Sequence, residues 1–425
     1  MRAKIIVRSV NVLLMLGLIL SFCSNFALSQ EKKVLNYWGM VQAELRLREA
    51  QEDAVADFEK MNPNIKIKVT VFPYPVYRDK LLVAAKAGTA PEIFVVDQIW
   101  NPEFAAAGFV IPLDDYIARS GLSSDTFFKG AWDSCVHKGK VWGIPFDVGV
   151  WSQLFYNRDM FREVGLDPNR PPVYWDEYLD YGKKLTRDVD GDGTSDQWGS
   201  GMYGGRHEGT ICETDAFIFS NGGSILSEDF SRCVLGDKAS VEAMEFYKKV
   251  VDEMSPPGAT ARTPDDAVKL FSAGKIAMHL QGSWVQSTIT ARAPEMDWAV
   301  SLLPKPRRGE SVGTYGGWNL VIYQKSKYKD AAWEFIKYWS SKGINEKVIA
   351  LVPANKESAD IFLALKKRFP KVIFEQLRMA HPRPIFPGYP QISEVQRDAI
   401  QYLLLGTKSI QQILDDAAAE INELL

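Results

Sequence analysis

The 425-residue sequence is poor in cysteine and histidine, with four residues of each. The histidines are scattered, and no CxxC pair or Cys/His spacing typical of a zinc site is present. HExxH and GxxxxGKS/T motifs are also absent. These absences argue against zinc proteases and P-loop proteins.

Long runs of basic residues are absent as well, and the formal net charge is −3. Nucleic-acid binding needs clustered cations to meet the phosphates, so no nucleic-acid partner is expected. After residue 29, no stretch is long and apolar enough for a transmembrane helix. The sequence contains no low-complexity tract and no internal repeat.

Residues 1–29 have the pattern of an export signal. A basic start is followed by the apolar run Val12–Leu20, which is too short to span a bilayer. Ala27 and Ser29 place small residues before a cut near Gln30. The sequence therefore predicts a periplasmic or extracellular protein whose net charge becomes −6 after cleavage.

Cys23 gives an alternative, a lipoprotein anchored at that cysteine. The preceding residue is the bulky Phe22, where a lipoprotein signal usually has a small residue, so the soluble form is favoured. Of the remaining cysteines Cys135, Cys212 and Cys233, the pair Cys212–Cys233 is the better candidate for a disulfide. Three free thiols are the alternative, because sequence alone does not give Cα separations.

The first part of the mature chain alternates strands and helices. Apolar periodicity predicts strands at 34–38, 65–71 and 93–96, with helices at 44–61 and 77–86 between them. A β-α-β-α-β order predicts parallel strands, and in open sheets of this kind ligands bind beyond the carboxyl ends of the strands. Trp38 and Asp97 follow two of these ends, which makes them the first candidates for a binding site.

Further strands and helices are predicted from the same apolar periodicity. The predicted strands cover residues 151–156, 274–278, 297–303 and 320–323. The predicted helices cover residues 175–186, 238–254, 264–273 and 328–341, and a last amphipathic helix begins at a capping box of Ser409 and Gln412.

Seven segments in this order resemble the extracellular solute-binding proteins of bacterial sugar ABC transporters, the maltodextrin-binding-like family. They are residues 58–65, 87–93, 143–146, 154–161, 175–177, 271–278 and 316–322. Each segment is a weak signal alone, whereas their order and spacing together are specific, and the resemblance covers nearly all of the mature chain.

The resemblance implies an α/β fold of two lobes, each a mainly parallel sheet flanked by helices, with three interlobe crossings. Lobe one would comprise residues 31–147 plus 298–343, and lobe two residues 148–297 plus 344–425. It also implies a monomer that binds a carbohydrate in the interlobe cleft, closes by a hinge motion and delivers the sugar to a membrane permease. No catalytic residue and no required cofactor are expected.

The 12 tryptophans fit a sugar site, because sugars offer apolar C–H faces to aromatic rings and hydroxyl edges to polar groups. Strand ends, neighbouring glycines and the resemblance together select the ligand-binding candidates Trp38, Asp97, Trp100, Asp147, Trp151, Tyr203, Trp284, Gly317, Trp318, Asn319 and Arg383. The alternatives stay open: Trp38, Trp100 and Trp151 could be core residues, and Asp97 could be a helix N-cap.

An acidic loop at residues 188–196 resembles the start of a calcium-binding loop. Its oxygen ligands would be Asp188, Asp190, Asp192, Thr194 and Asp196. Gly199 stands where such a loop has a bidentate glutamate, so the set is incomplete. The sequence leaves two interpretations open, a structural calcium site and a solvated turn held by its own hydrogen bonds.

Two other functions compete with sugar binding. A secreted carbohydrate hydrolase would also be rich in aromatics, but would need two carboxylates at a fixed separation across the cleft. The same fold could instead bind a polyamine, a phosphodiester or a metal chelate. Trp and Asp, rather than Arg and Lys, dominate the predicted strand ends, which favours a neutral ligand.

Overall fold

The computed structural model describes residues 32–40, 45–366 and 368–425. The predicted signal peptide and Cys23 lie outside these residues. In chain order the strands are β1 Lys33–Met40, β2 Ile65–Phe72, β3 Ile93–Asp97, β4 Val136–His137, β5 Lys140–Val141, β6 Ile144–Pro145, β7 Asp147–Val150, β8 Gln153–Asn157, β9 Trp198–Ser200, β10 Ile276–Gln281, β11 Trp298–Ser301, β12 Thr314–Gly316, β13 Trp318–Ile322, β14 Val352–Pro353 and β15 His381–Pro382.

The helices in chain order are α1 Leu45–Met61, α2 Tyr74–Ala87, α3 Asn101–Ala106, α4 Asp114–Ser120, α5 Lys129–Ser134, α6 Arg158–Glu163, α7 Trp175–Leu185, α8 Glu208–Ser220, α9 Lys238–Met254, α10 Pro264–Ser272, α11 Gln286–Arg292, α12 Lys329–Trp339, α13 Asn345–Val348, α14 Lys356–Lys366, α15 Pro370–Arg378, α16 Tyr389–Leu405 and α17 Ile410–Asn422. Two short 3-10 helices cover Ser124–Thr126 and Ser283–Val285. No described helix combines the length and apolar composition needed to cross a membrane.

Lobe one is built on a five-stranded sheet with the order β2-β1-β3-β13-β6. β1 pairs in parallel with β2 and β3, as the alternation of strands and helices predicts. β13 returns from a distant part of the chain and is antiparallel to both of its neighbours. The central strand β3 is buried along its whole length, which explains its continuous apolar sequence.

Lobe two is built on a four-stranded sheet with the order β11-β8-β10-β9. β10 is parallel to β9 and antiparallel to β8, and β11 is also antiparallel to β8. Three of the four strands therefore run in one direction, with β8 reversed. The strand predicted at residues 151–156 begins later, at Gln153, because the chain turns at Ser152, which has a φ of 73°.

A third sheet joins the lobes. β7 pairs with β12 and β14, and β12 also pairs with β15, so the segments that connect the lobes hydrogen-bond to one another. The two-lobed α/β fold with three crossings is therefore confirmed. The first crossing lies at β7, which agrees with the predicted boundary at residues 147 and 148.

The second predicted boundary is wrong. β11 was expected to open the second part of lobe one, but it pairs with β8 in the sheet of lobe two. Asp297, just before β11, forms ion pairs with Arg158 and Arg162 of lobe two. The chain returns to lobe one only at β12, so residues 298–313 belong to lobe two.

The third boundary also shifts. α13 still packs against α1 of lobe one, beyond the predicted end of that lobe at residue 343. β14 then pairs with β7 in the joining sheet. Lobe one therefore extends at least through α13, and nothing in the sequence of this four-residue helix indicates on which lobe it packs.

The cysteine pairing is also wrong, because Cys135, Cys212 and Cys233 are all buried free thiols. Cys212 lies within α8, on the wall of the interlobe cavity described below. Cys233 lies in a different environment, and its N–H donates to Asn422 Oδ1 at 2.7 Å near the end of α17. The capping box that begins α17 is confirmed, with Ser409 and Gln412 in the predicted roles.

Candidate functional site

A cavity of about 670 Å³ lies between the two lobes, within the size range of small-molecule sites. Lobe one contributes the carboxyl ends of β1 and β3, as the strand-end rule predicts. Lobe two contributes the start of α8, the start of α10 and the segment after β10. The walls include Tyr37, Tyr74, Asp97, Asp147, Trp151, His207, Glu208, Asp265, Gln281, Trp284, Gly317, Trp318 and Arg383.

On the lobe-one side, aromatic rings form one wall. Trp318 begins β13 and is half-buried, and its ring meets Tyr74 edge-on with centroids 5.9 Å apart. Trp100 packs behind both rings, at 5.6 Å from Tyr74 and 5.7 Å from Trp318. This arrangement holds the Trp318 and Tyr74 rings at the cavity surface, where a sugar face could stack.

Gly317 allows the chain to approach β7 closely at this point. A Cβ atom at Gly317 would lie 2.2 Å from the carbonyl oxygen of Asp147, which no side chain tolerates. The approach places the Trp318 N–H 2.9 Å from Asp147 Oδ1. Burial raises the pKa of Asp147 well above its usual value, so this carboxyl holds its proton more tightly than an exposed aspartate.

On the lobe-two side, Trp151 and Trp284 form the second wall. Their ring centroids are 4.5 Å apart with an interplanar angle of 72°, an edge-to-face pair. Trp151 comes from the break between β7 and β8, and Trp284 from the 3-10 helix after β10. Two segments far apart in sequence therefore supply one aromatic surface.

A chain of ion pairs crosses the base of the cavity. Arg383 donates to Asp97 of lobe one at 3.1 Å and to Glu208 of lobe two at 2.7 Å. Glu208 also accepts from Arg397 at 3.0 Å. Burial opposes the charge on Arg383, but the Asp97 and Glu208 carboxylates raise its pKa, so the guanidinium stays charged. Arg397 also pairs with Glu394, so each of the two cations in this chain meets two carboxylates.

Seven of the eleven predicted ligand residues meet at this cavity: Asp97, Asp147, Trp151, Trp284, Gly317, Trp318 and Arg383. Trp38, Trp100, Tyr203 and Asn319 are not among the residues that line it. Trp100 supports the lobe-one wall from behind, as its ring contacts show. That the seven residues contact a ligand stays a prediction.

The other three candidates do not line the cavity for reasons that the structure shows. Trp38 packs edge-on against Phe72, while its neighbours Tyr37 and Gly39 line the cavity, because alternate residues of a strand face opposite sides. Asn319 is likewise on the far face of β13 from Trp318, and its amide donates to Ser134 Oγ at 3.0 Å. Tyr203 is fully buried, with its hydroxyl donating to the Leu280 carbonyl.

The sequence did not single out Tyr74, His207 or Glu208, although all three line the cavity. Tyr74 of lobe one faces His207 of lobe two, with ring centroids 5.6 Å apart. The strand-end rule could have found Tyr74, which follows β2 directly. Nothing in the local sequence of α8 marks Glu208, because its role depends on Arg383, 175 residues away.

The acidic loop brings together three of its five predicted ligands. Single carboxylate oxygens of Asp188, Asp190 and Asp196 all lie within 4.8 Å of one another. Asp192 instead accepts hydrogen bonds from the N–H and hydroxyl of Thr194. Asp188 also accepts from the N–H groups of Gly191 and Gly193, which lowers its pKa. The loop therefore has both a convergent oxygen cluster and internal hydrogen bonds.

Comparison with known proteins places this geometry in a family. The family model described as bacterial extracellular solute-binding protein matches residues 45–346. A Brucella abortus protein named as a binding protein is 28% identical over 387 residues, covering 88% of this chain and 89% of that protein. The galactooligosaccharide-binding protein of Bacillus subtilis is 25% identical over 392 residues, covering 86% and 84%.

Among solved structures, an ABC transporter solute-binding protein of Thermotoga lettingae bound with α-D-tagatose superimposes with a TM-score of 0.83. It is 27% identical, and the match covers 92% of this chain and all of that chain. The family match spans well over half of the sequence and includes every strand of the two lobe sheets except β1, as well as most of the residues that line the cavity. The chain belongs to the bacterial extracellular solute-binding protein family.

Proposed function

We propose that this protein binds a neutral carbohydrate in the interlobe cavity and delivers it, unchanged, to the permease of an ABC transporter. The observation that carries the proposal is the pairing of one aromatic wall from each lobe around a single cavity, Trp318 with Tyr74 and Trp151 with Trp284. Such walls match the apolar faces of a sugar ring, and polar groups between them match its hydroxyls.

The charges of the cavity support a neutral ligand. Arg383, the cation at the base, already meets one carboxylate from each lobe. A phosphate would have to compete with Asp97 and Glu208 for that guanidinium, at a high desolvation cost. The galactooligosaccharide of the Bacillus subtilis relative and the tagatose of the Thermotoga lettingae structure are both uncharged sugars, which agrees with this choice.

Binding without chemistry is the better interpretation of the carboxylates. A glycosidase needs one carboxylic acid and one carboxylate free to act on either side of the scissile bond. Asp97 and Glu208 are both held by Arg383, and Asp147 accepts the Trp318 N–H. Asp265 is the one other acidic side chain among the described residues that line the cavity, and a single carboxyl does not supply the pair. The extracellular family and the predicted signal peptide favour a protein that acts outside the cytoplasm, whereas its monomeric state and its soluble rather than lipid-anchored form stay predictions.

The test is a binding screen with product analysis. We expect α-D-tagatose, maltose, lactose or galactooligosaccharides to raise the melting temperature and give a calorimetric binding isotherm, with the sugar recovered intact. A ligand at 100 times its Kd should stabilise the protein by about 2.7 kcal/mol. The Trp318→Ala variant, which removes one wall, is the control for binding at the cavity. Released monosaccharides, or stabilisation by sn-glycerol 3-phosphate alone, would contradict the proposal.

We also propose that the acidic loop binds a structural calcium ion through Asp188, Asp190 and Asp196. Three carboxylates this close repel one another unless a cation lies between them. Millimolar calcium should therefore raise the melting temperature relative to the chelated protein. The double variant Asp188→Asn/Asp190→Asn should lose this response, whereas Asp252→Asn, at an exposed site elsewhere in lobe two, should keep it. An equal response in all three proteins would leave the loop as a hydrogen-bonded turn.

A further inference from the structure

The Trp151–Trp284 wall lies directly against two glycines that the sequence did not single out. A Cβ atom at Gly282 would lie 1.9 Å from both Cη2 and Cζ3 of Trp284. A Cβ atom at Gly209 would lie 2.7 Å from Cη2 and 2.9 Å from Cζ3 of Trp151. Each indole therefore occupies space that any other residue at the glycine position would fill.

Backbone conformation does not explain either glycine. Gly282 has φ −81° and ψ 161°, an extended conformation that alanine adopts freely. Gly209 lies in the first turn of α8, where alanine would favour the helix more than glycine does. What the two positions share is close contact with an indole that lines the cavity, so the missing methyl group is the relevant property.

Neighbouring residues limit where the indoles could move. Trp284 also lies 3.4 Å from the Cβ position of Gly149, and Trp151 shares its niche with Pro264, whose Cγ lies 2.7 Å from the Cβ position of Gly209. The two rings also touch each other at a centroid distance of 4.5 Å. A methyl group at either glycine would therefore displace an indole that is already confined by packed atoms, and the open side is the cavity.

We propose that Gly209 and Gly282 are positioning residues for solute binding: by lacking a side chain they seat the Trp151–Trp284 pair against the backbone and keep the cavity open. The proposal rests on the proposed function, because the position of the indole pair affects affinity only if the cavity binds a solute. Neither glycine needs to touch the solute. Each acts through the indole that lies on it.

The experiment compares Gly282→Ala and Gly209→Ala with Gly130→Ala. Gly130 is a matched control in a helix of lobe one, where a Cβ would make only an ordinary contact, 3.4 Å from Tyr315. We expect each of the first two variants to weaken binding of α-D-tagatose or galactooligosaccharide about tenfold or more, with a cooperative unfolding transition retained. Gly130→Ala should bind as the parent does. Parent-like affinity in both Gly282→Ala and Gly209→Ala would overturn the proposal.

A double-mutant cycle separates positioning from a general structural effect. In a Trp284→Leu background the bulky ring is gone, so adding Gly282→Ala should cost little further affinity. Equal losses in both backgrounds would show that Gly282 acts by another route. Near-ultraviolet circular dichroism of the indole pair, recorded without sugar, should change in Gly282→Ala and Gly209→Ala but not in Gly130→Ala. An unchanged spectrum in both Gly282→Ala and Gly209→Ala would contradict the positioning role of the glycines, even if no sugar binds. Failure of the parent protein to bind any sugar would instead contradict the proposed function.

Discussion

Replacing Arg383 with methionine should lower the free energy of unfolding by about 3–5 kcal/mol at neutral pH, the usual cost of removing one partner from a buried ion pair. The Arg383 side chain is 3% exposed, and Asp97 has no other cation among its described contacts. Glu208 keeps Arg397, so the uncompensated charge falls mainly on Asp97. Sugar binding should be lost as well, because the base of the cavity changes. Urea unfolding followed by tryptophan fluorescence gives the stability.

Arg206, an exposed arginine, provides the control for this prediction. Arg206 also meets two carboxylates, Glu394 and Asp398, but its side chain is 50% exposed. Arg206→Met should therefore cost less than about 1 kcal/mol. Adding Asp97→Asn to Arg383→Met should restore part of the loss, because the unpaired charge is removed. A loss below about 1 kcal/mol in Arg383→Met would contradict the view that these ion pairs tie the two lobes together.

The pH dependence of the Arg383→Met deficit has a defined sign. Burial already raises the pKa of Asp97, while Arg383 opposes that effect. Without the guanidinium, the Asp97 carboxyl should take up a proton at a higher pH. The deficit should therefore be smaller at pH 5 than at pH 8.

Glu213 leads to the second large effect, on the pH dependence of stability. Its side chain is buried, and neither carboxylate oxygen has a partner of good hydrogen-bond geometry among the described residues. Burial raises its pKa well above the usual 4.5, and the nearby Tyr203 hydroxyl opposes this shift only in part. The folded protein therefore holds this proton at pH values where the unfolded chain has released it. Raising the pH above 4.5 should lower the free energy of unfolding, by up to about 1.4 kcal/mol per pH unit for one proton.

Glu213→Gln should remove this loss, since the amide carries no titrating proton. We expect the variant to be more stable than the parent at pH 8 and about equally stable at pH 4. Asp147 and Asp215, whose pKa values burial also raises, keep a residual slope in the same direction. Glu245→Gln, at an exposed site in the same lobe, is the control and should leave the profile unchanged. A variant less stable than the parent across the whole range would contradict this account.

Part of the candidate site could be predicted because it follows from local pattern. Asp97 and Trp318 lie at strand ends, and a strand end can be located from apolar runs and the residues that stop them. Register then places the two residues opposite each other, since Trp318 pairs with Asp97 across β13 and β3. The parallel direction of β1, β2 and β3 followed in the same way from their alternation with helices.

The apolar pattern located the strand ends but did not show which face of each strand points toward the cavity. Trp38 and Asn319 are each one position away from residues that line the cavity. A shift of one residue reverses the direction of a strand side chain, and sequence alone did not fix which face of β1 or β13 looks toward the cavity. The assignment of β11 to lobe one failed for a related reason, because its partner β8 lies about 140 residues earlier in the chain.

By itself, the sequence determined most of the strands and helices and the aromatic character of the candidate site, because periodicity, turn residues and composition are local properties; the two-lobed α/β class was implied by its resemblance to a known family. Only the tertiary structure decided that Arg383 joins Asp97, 286 residues away, to Glu208, and that Gly209 and Gly282 make room for the indole wall. These features depend on distances between atoms that come together only after both lobes have packed. No periodicity in the sequence reports such distances.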